Sequence, residues 1–246
     1  MSNMENIKNN IPVILFSVLP ISIIVGSSLS LLNIVLFSLC FLLIYFSKSN
    51  IIIYDFKPVL ALIILNLYLL FNSFISLDTT SGIYRNFGFA RFIFFFLMVN
   101  YFFSINKKNL NILKTWTIIF FIVLIDTYIE RFTGSNIFGF GKLEIDGVPQ
   151  PNGDRVMSFF RDEPIVGSFL CGFSFIILGY IFNFLKSRKT LKISGLLIIL
   201  SILIGVMLTG ERSNSLKALI GFFIFISLID FVKLKSKILI LFSILI

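Results

Sequence analysis

No histidine occurs in the 246 residues, and there are only two cysteines, one tryptophan and six prolines. The missing imidazole removes the commonest metal ligand and general base, which leaves carboxylates as the proton acceptors of this chain. Cys40 and Cys171 fall inside apolar runs near opposite membrane faces, an arrangement that argues against a disulfide and leaves neither with a metal-binding neighbour. No phosphate-binding loop, dinucleotide fingerprint or paired Cys or His motif is present, and no internal repeat of the kind common in transporters. Neither a metal nor a cofactor is therefore expected. Charge is scarce too, at 13% of residues. That is too little polar surface to wrap a soluble core.

What fills the chain is apolar side chain: 57% of residues are hydrophobic, 32 of them phenylalanine, and the mean hydropathy is +1.00. Apolar runs of about 17 to 25 residues match a bilayer-spanning helix, whereas barrel strands would be about 10 residues of alternating character. The expected fold is all-α, a polytopic transmembrane helix bundle. Its spans read as Ile11–Ser28, Leu31–Phe46, Pro58–Leu77, Phe87–Ser104, Ile112–Ile129, Pro164–Leu185, Ile193–Thr209 and Leu216–Phe231. Residues 1–246 form a single integral membrane domain on this reading, with one irregular periplasmic loop at 130–163. The final run, Ile238–Ile246, rises only about 13 Å as a helix against roughly 30 Å of hydrocarbon. It reads as a truncated ninth span in a chain incomplete at its C-terminus. The first span has a weak basic flank and no small-residue cleavage pattern, so it reads as retained.

Thirteen of the 21 basic residues fall in alternate connections, from Lys8 through Lys48, Lys57, Lys107, Lys108, Lys114 and the 186–192 cluster to Lys233, Lys235 and Lys237. The positive-inside bias makes that side, and with it the N-terminus, cytoplasmic. The net charge of +9 then reflects topology and anionic lipid, and no nucleic-acid partner is implied. Six of the seven arginines lie on the other side, while twelve of the fourteen lysines lie inside. A point charge is enough to fix topology, but a guanidinium adds a planar fork of donors suited to phosphate or carboxylate. The segregation points to an outer anion site. Pairing of these arginines with nearby acids is the plainer reading of part of the pattern.

Two polar stretches face that side. In the 130–163 loop, glycines and prolines break regular structure and leave room for a short strand at Lys142–Ile145; Arg155, Arg161, Asp162 and Glu163 then precede a helix starting at Pro164. The amides of that helix start would point outward, and Gly167, Ser168, Cys171, Gly172 and Ser174 would let a ligand or, more plainly, another helix come close. The second stretch, LTGERSNSLK, sets Glu211 and Arg212 side by side, with Ser213 or Ser215 placed to cap the following helix. Glu211 reads there as a partner orienting Arg212.

The runs DTYIERFTGSNIFGF (Asp126–Phe140), DRVMSFFRDEPIVGSFL (Asp154–Leu170) and LTGERSNSL (Leu208–Leu216) resemble the bacterial O-antigen ligase and Wzy-type O-antigen polymerase family. There an outer loop ends in an arginine, a Gly-Phe-like turn and an acidic or Asn pair before a helix beginning near Gly-Ser, and a Thr-Gly-x-Arg-Ser/Gly motif follows one span later. Arg155, Asp162, Glu163, Gly167, Ser168, Thr209, Gly210, Arg212 and Ser213 match that pattern, while SFFR at Ser158–Arg161 replaces the Gly-x-Phe turn. The first four spans match only as generic apolar helices.

The resemblance implies a metal-independent glycosyltransferase of the bacterial inner membrane, using an undecaprenyl-diphosphate-linked oligosaccharide at the periplasmic face. The first reading is a polymerase joining repeats into O-antigen, capsule or exopolysaccharide, with the bilayer and a chain-length regulator as partners. A ligase passing glycan to lipopolysaccharide core is the alternative in the same class. A transporter or flippase for an anionic lipid or solute is the alternative in another class; it should show broken helices with polar residues near mid-membrane, for which Pro20, Asn33, Asn66 and Asn72 are candidates. For glycosyl transfer the catalytic set is Arg212, Arg155, Glu163 and Glu211. Arg161, Asp162, Arg91, Ser213, Gly167 and Ser168 are assigned to substrate binding.

Overall fold

In an apolar environment each backbone amide and carbonyl needs a partner within the chain, and the α-helix supplies one locally. The computed structural model describes residues 2–47, 56–105, 110–139, 144–145, 148–149, 155–160, 163–185 and 191–228. These are helical almost throughout: α1 Ser2–Val25, α2 Ser27–Ser47, α3 Lys57–Ile75, α4 Thr79–Phe87, α5 Ala90–Ile105, α6 Leu110–Thr133, α7 Val166–Leu185, α8 Leu191–Leu208 and α9 Arg212–Leu228. The exceptions are a two-residue antiparallel ladder pairing Glu144 with Pro149 and Ile145 with Val148, and a 3-10 turn at Ser158–Phe160.

Among the described residues, four segments are long and apolar enough to cross a membrane: Ser27–Phe46, Lys57–Ile75, Thr79–Phe103 and Asn111–Thr133. Ile11–Val25, Val166–Phe182 and Leu197–Leu208 are apolar but shorter. The chain is thus an all-helical protein with the helices of a membrane protein; of the eight complete spans expected, the described residues supply four segments of full spanning length. Two boundaries differ in ways that matter. The span expected at Phe87–Ser104 begins earlier, at Thr79, and is interrupted between α4 and α5. The span expected to end at Ile129 continues to Thr133, which puts Glu130 and Arg131 on the helix and starts the irregular segment at Gly134. The expected ninth span at Ile238–Ile246 lies outside the described residues.

The helices group into two compact units, Met1–Thr115 and Trp116–Ile246. In the first, α1 and α2 form a hairpin joined at Gly26, and α1 runs unbroken through Pro20. Phe16 stacks on Phe37 with centroids 5.2 Å apart, and Phe37 meets Phe95 of α5 at 5.3 Å. Polar side chains tie the helices as well. Asn33 donates to the Leu15 carbonyl at 3.1 Å and the Ser22 hydroxyl at 3.3 Å, and Asn66 donates to the Asn86 carbonyl at 3.0 Å. Asn86 returns the amide to the Leu69 carbonyl at 2.9 Å and the Ser73 hydroxyl at 2.6 Å, while Asn72 is exposed.

In the second unit the Tyr128 hydroxyl of α6 donates to the Ser201 carbonyl of α8 at 2.7 Å. A β-carbon on Gly205 would collide with Leu124, and one on Gly221 of α9 would collide with the Phe175 ring of α7. Gly195 of α8 does the same against the Phe182 ring of α7, at 2.8 Å, whereas Gly172 of α7 has nothing within 4 Å of its added carbon. Gly167 also marks a close approach, but to a polar turn.

Candidate functional site

That turn is the stretch Leu208 to Lys217. Helix α8 ends because Gly210 takes φ +76°, a left-handed conformation that costs a residue with a side chain about 1–2 kcal/mol. Thr209, fully buried, donates its hydroxyl to the Val206 carbonyl at 2.7 Å and accepts from the Glu211 amide at 3.4 Å. The next helix then starts at Arg212, four residues before the expected Leu216, and Glu211 is the residue in front of it. The Glu211 carbonyl accepts from both the amide and the hydroxyl of Ser215, each at 3.0 Å.

The Glu211 carboxylate does not turn to Arg212. One oxygen accepts from the Gly167 amide in the first turn of α7 at 2.8 Å, and the other from the Asn214 side chain in the first turn of α9. Asn214 also donates to the Ser168 hydroxyl at 2.8 Å. One negative group thereby sits at two helix N-termini, where the aligned peptide dipoles favour it. The anion place expected at the start of α7 is filled by the chain's own carboxylate. Gly167 is needed for that fit, since an added β-carbon would lie 2.8 Å from the Thr209 hydroxyl and 2.9 Å from the Glu211 carboxylate. Helix α7 itself begins at Val166, two residues after Pro164.

A pair of carboxylates holds the segment in front of α7. Asp126 and Glu130 are one helical turn apart on α6 and both are buried. Glu130 accepts from the Met157 amide at 2.9 Å and the Ser158 amide at 2.5 Å. Asp126 accepts from the Ser158 hydroxyl and, at 2.9 Å, from the Ile137 amide. The Ser158 carbonyl in turn accepts from the Asn136 side chain at 2.8 Å. Ser158 has φ +47°, strained for a residue with a β-carbon, and all three of its polar groups are gripped by buried side chains. The held segment reaches the first turn through the Val156 amide, which donates to the Thr209 carbonyl at 3.1 Å.

Arg155 and Arg212 flank this backbone link, one residue before Val156 and three after Thr209. Both are exposed, and neither makes a hydrogen bond or ion pair with a described residue. Glu163 and Ser213 are exposed as well. Of the residues picked from sequence, the fold brings together Gly167, Ser168 and Glu211, with Arg155, Arg212 and Ser213 beside them. Arg91 belongs to the other unit, with its guanidinium 5.0 Å from the Phe92 ring centroid. Arg161 and Asp162 lie outside the described residues, as does Lys142 of the expected strand, of which Glu144–Ile145 is seen. Sequence reasoning passed over Asp126, Glu130, Asn136, Ser158 and Asn214 as structural partners. The available signal was two acids spaced i, i+4 at the end of an apolar helix.

The chain was compared with protein-family models, curated proteins and solved structures, and it matches none of them.

Proposed function

We propose that this protein is a membrane glycosyltransferase-type polymerase, which joins undecaprenyl-diphosphate-linked oligosaccharide repeats into a surface polysaccharide at the periplasmic face of the inner membrane. The observation that carries the reading is the division of labour around the Val156–Thr209 link. The carboxylates Asp126, Glu130 and Glu211 are all spent on amides and hydroxyls, while Arg155 and Arg212 stay exposed and pair with none of the described residues. Arg212 is moreover the first residue of α9, at the positive end of the helix dipole, where a cation is disfavoured by about 0.3–1 kcal/mol. Helix physics alone would not put it there.

Two permanently charged guanidinium groups suit a diphosphate whose charge grows as the bond to the anomeric carbon breaks. The acceptor hydroxyl oxygen takes that carbon, undecaprenyl diphosphate departs, and the hydroxyl proton passes to a carboxylate. Glu163 is the member of the set placed to receive it, since its side chain is exposed and bonded to none of the described residues, whereas Glu211 is committed to capping. Replacing Arg155 or Arg212 by Ala in a strain depending on this gene should lower polymer formation by about 10²–10³-fold, with Lys recovering only part of it. Unchanged chain length in both Ala variants would sink the reading. Accumulation of finished lipid-linked polymer in a deletion strain would instead move the assignment to the ligase.

One observation favours a reading of another class, a transporter or flippase for an anionic lipid or solute. The interruption between α4 and α5 is the broken helix such a protein would need. Purified protein in vesicles separates the two: movement of lipid-linked oligosaccharide across the bilayer without elongation supports the transporter.

A further inference from the structure

The interruption lies at a defined depth in the first unit. Asn66, the central residue of the 19-residue helix α3, donates to the Asn86 carbonyl just before it. Ser38, the twelfth of 21 residues in α2, donates at 3.1 Å to the Arg91 carbonyl just after it. Two independent hydrogen bonds therefore set Gly88 and Phe89 halfway along two segments that are long and apolar enough to cross a membrane. Each midpoint is roughly 13–15 Å from the nearer helix end. Here the helical ladder tightens: the Phe89 amide donates to the Asn86 carbonyl at 3.2 Å and the Phe92 amide to the Phe89 carbonyl at 2.9 Å, both three residues back.

Arg91 sits at this place. Its side chain runs back over the interruption, so that a β-carbon added to Gly88 would lie 3.7 Å from one terminal guanidinium nitrogen. One face of the group is covered by the Phe92 ring at 5.0 Å. The side chain is half-buried, yet its five N–H donors make no hydrogen bond or ion pair with any described residue. A ring contact offsets part of the cost of holding a cation at mid-span, but it satisfies none of the donors. Arg85 needs no such account, because it is exposed in the last turn of α4, where the dipole favours a cation.

We propose that the interruption at Gly88–Phe89 is a binding place for a phosphate-bearing anion, held by the planar donor edge of Arg91. The described residues leave those donors unused, and a phosphate matches their fork. A phospholipid headgroup and a water-borne phosphate share this chemistry. The site stands on the geometry of the first unit and does not depend on the polysaccharide reading.

The test uses the full chain in two arms. In nanodiscs of equal parts phosphatidylcholine and phosphatidylglycerol, native mass spectrometry should find phosphatidylglycerol retained in preference; in detergent, titration with pyrophosphate should show saturable binding. Success in the first arm alone identifies a lipid headgroup as the source, and success in the second a water-borne anion. Arg91→Gln should weaken whichever binding is seen by about tenfold or more, with Arg91→Lys intermediate. Within the unmodified protein, the same probe should slow hydrogen exchange of the amides from 88 to 92. Absence of binding in both arms, binding unaltered in Arg91→Gln, or exchange there indifferent to the probe would overturn the proposal.

Discussion

The two units handle polar groups in opposite ways. In the first, helix is tied to helix by neutral groups: Asn33 to the Leu15 carbonyl, Asn66 to the Asn86 carbonyl, Ser38 to the Arg91 carbonyl. In the second, carboxylates hold the backbone amides of turns and of a helix start: buried Glu130 on Met157 and Ser158, buried Asp126 on Ile137, with the Ser158 hydroxyl besides, and half-buried Glu211 on Gly167. The difference follows from what must be held. A helix satisfies its own amides, so one amide side chain is enough to register it against a neighbour. A turn leaves several amides unpaired, and a carboxylate with two acceptor oxygens is the smallest group that can satisfy two of them at once.

The largest break in this comparison should come at Glu130. Glu130→Ala strands the buried amides of Met157 and Ser158, at about 1–3 kcal/mol for each unsatisfied group. Thermal unfolding in detergent should show a loss on the order of 2–6 kcal/mol, or no folded protein at all. Because Ser158 is also held by Asp126 and Asn136, Asp126→Asn should lose less and serves as the variant that still folds. A Glu130→Ala protein as stable as the wild type would remove the carboxylate grip from the account.

Next comes the fit at Gly167. Gly167→Ala drives a methyl group into the Thr209 hydroxyl and the Glu211 carboxylate, a clash of the kind that costs about 1–3 kcal/mol. Gly172→Ala, on the same helix with nothing within 4 Å, should be neutral or gain roughly 0.5–1 kcal/mol from helix propensity. Equal melting temperatures for the two variants would show that the turn is not tightly docked on α7.

These two sites also mark how far the sequence could be read. The helices were legible because apolar run length is a local property; so was the turn at Thr209–Gly210, since glycine is the residue that ends a helix in that way. Partner choice was not legible. Glu211 stands beside Arg212 in the chain, and adjacency argued for an ion pair, yet its carboxylate crosses to Gly167, a contact that exists only once α7 and α9 pack together. Glu130 looked like the first residue of a loop because a charge after an apolar run ordinarily ends a span. Once its carboxylate is satisfied by the Met157 and Ser158 amides, α6 carries it without ending and continues to Thr133. The interruption at Gly88 was not legible either, because Arg85 and Asn86 just before it read as the loop ahead of a span, which set the expected helix start at Phe87.

A smaller effect is expected where a neutral tie is cut. Asn66→Ala removes one inter-helix hydrogen bond of the first unit, and such bonds between apolar helices average about 0.6 kcal/mol. The second unit offers no equally cheap loss among its buried carboxylates. If Asn66→Ala cost as much as Glu130→Ala, the contrast between neutral and charged ties would fail.

The smallest effect sharpens the contrast within a single chemistry, because the first unit also has a carboxylate cap, but an exposed one. Asp78 precedes α4 and accepts from the Ser81 amide at 3.1 Å. Hydrogen bonds from the Ser81 side chain and amide, then from the Thr80 amide, hold its carboxyl below the usual range. A lowered folded-state pKa means that the cap's contribution is complete above the ordinary carboxylate range and is lost as pH falls through the lowered value. Hydrogen exchange across α4 should therefore quicken in acid relative to Asp78→Asn, which caps without a charge and stays level, while Asp78→Ala should be faster than both at neutral pH. Parallel acid responses in wild type and Asp78→Asn would mean that the charge contributes nothing at this exposed end. Burial, which turns the same group into the grip on Ser158, would then be the whole of the difference between the two.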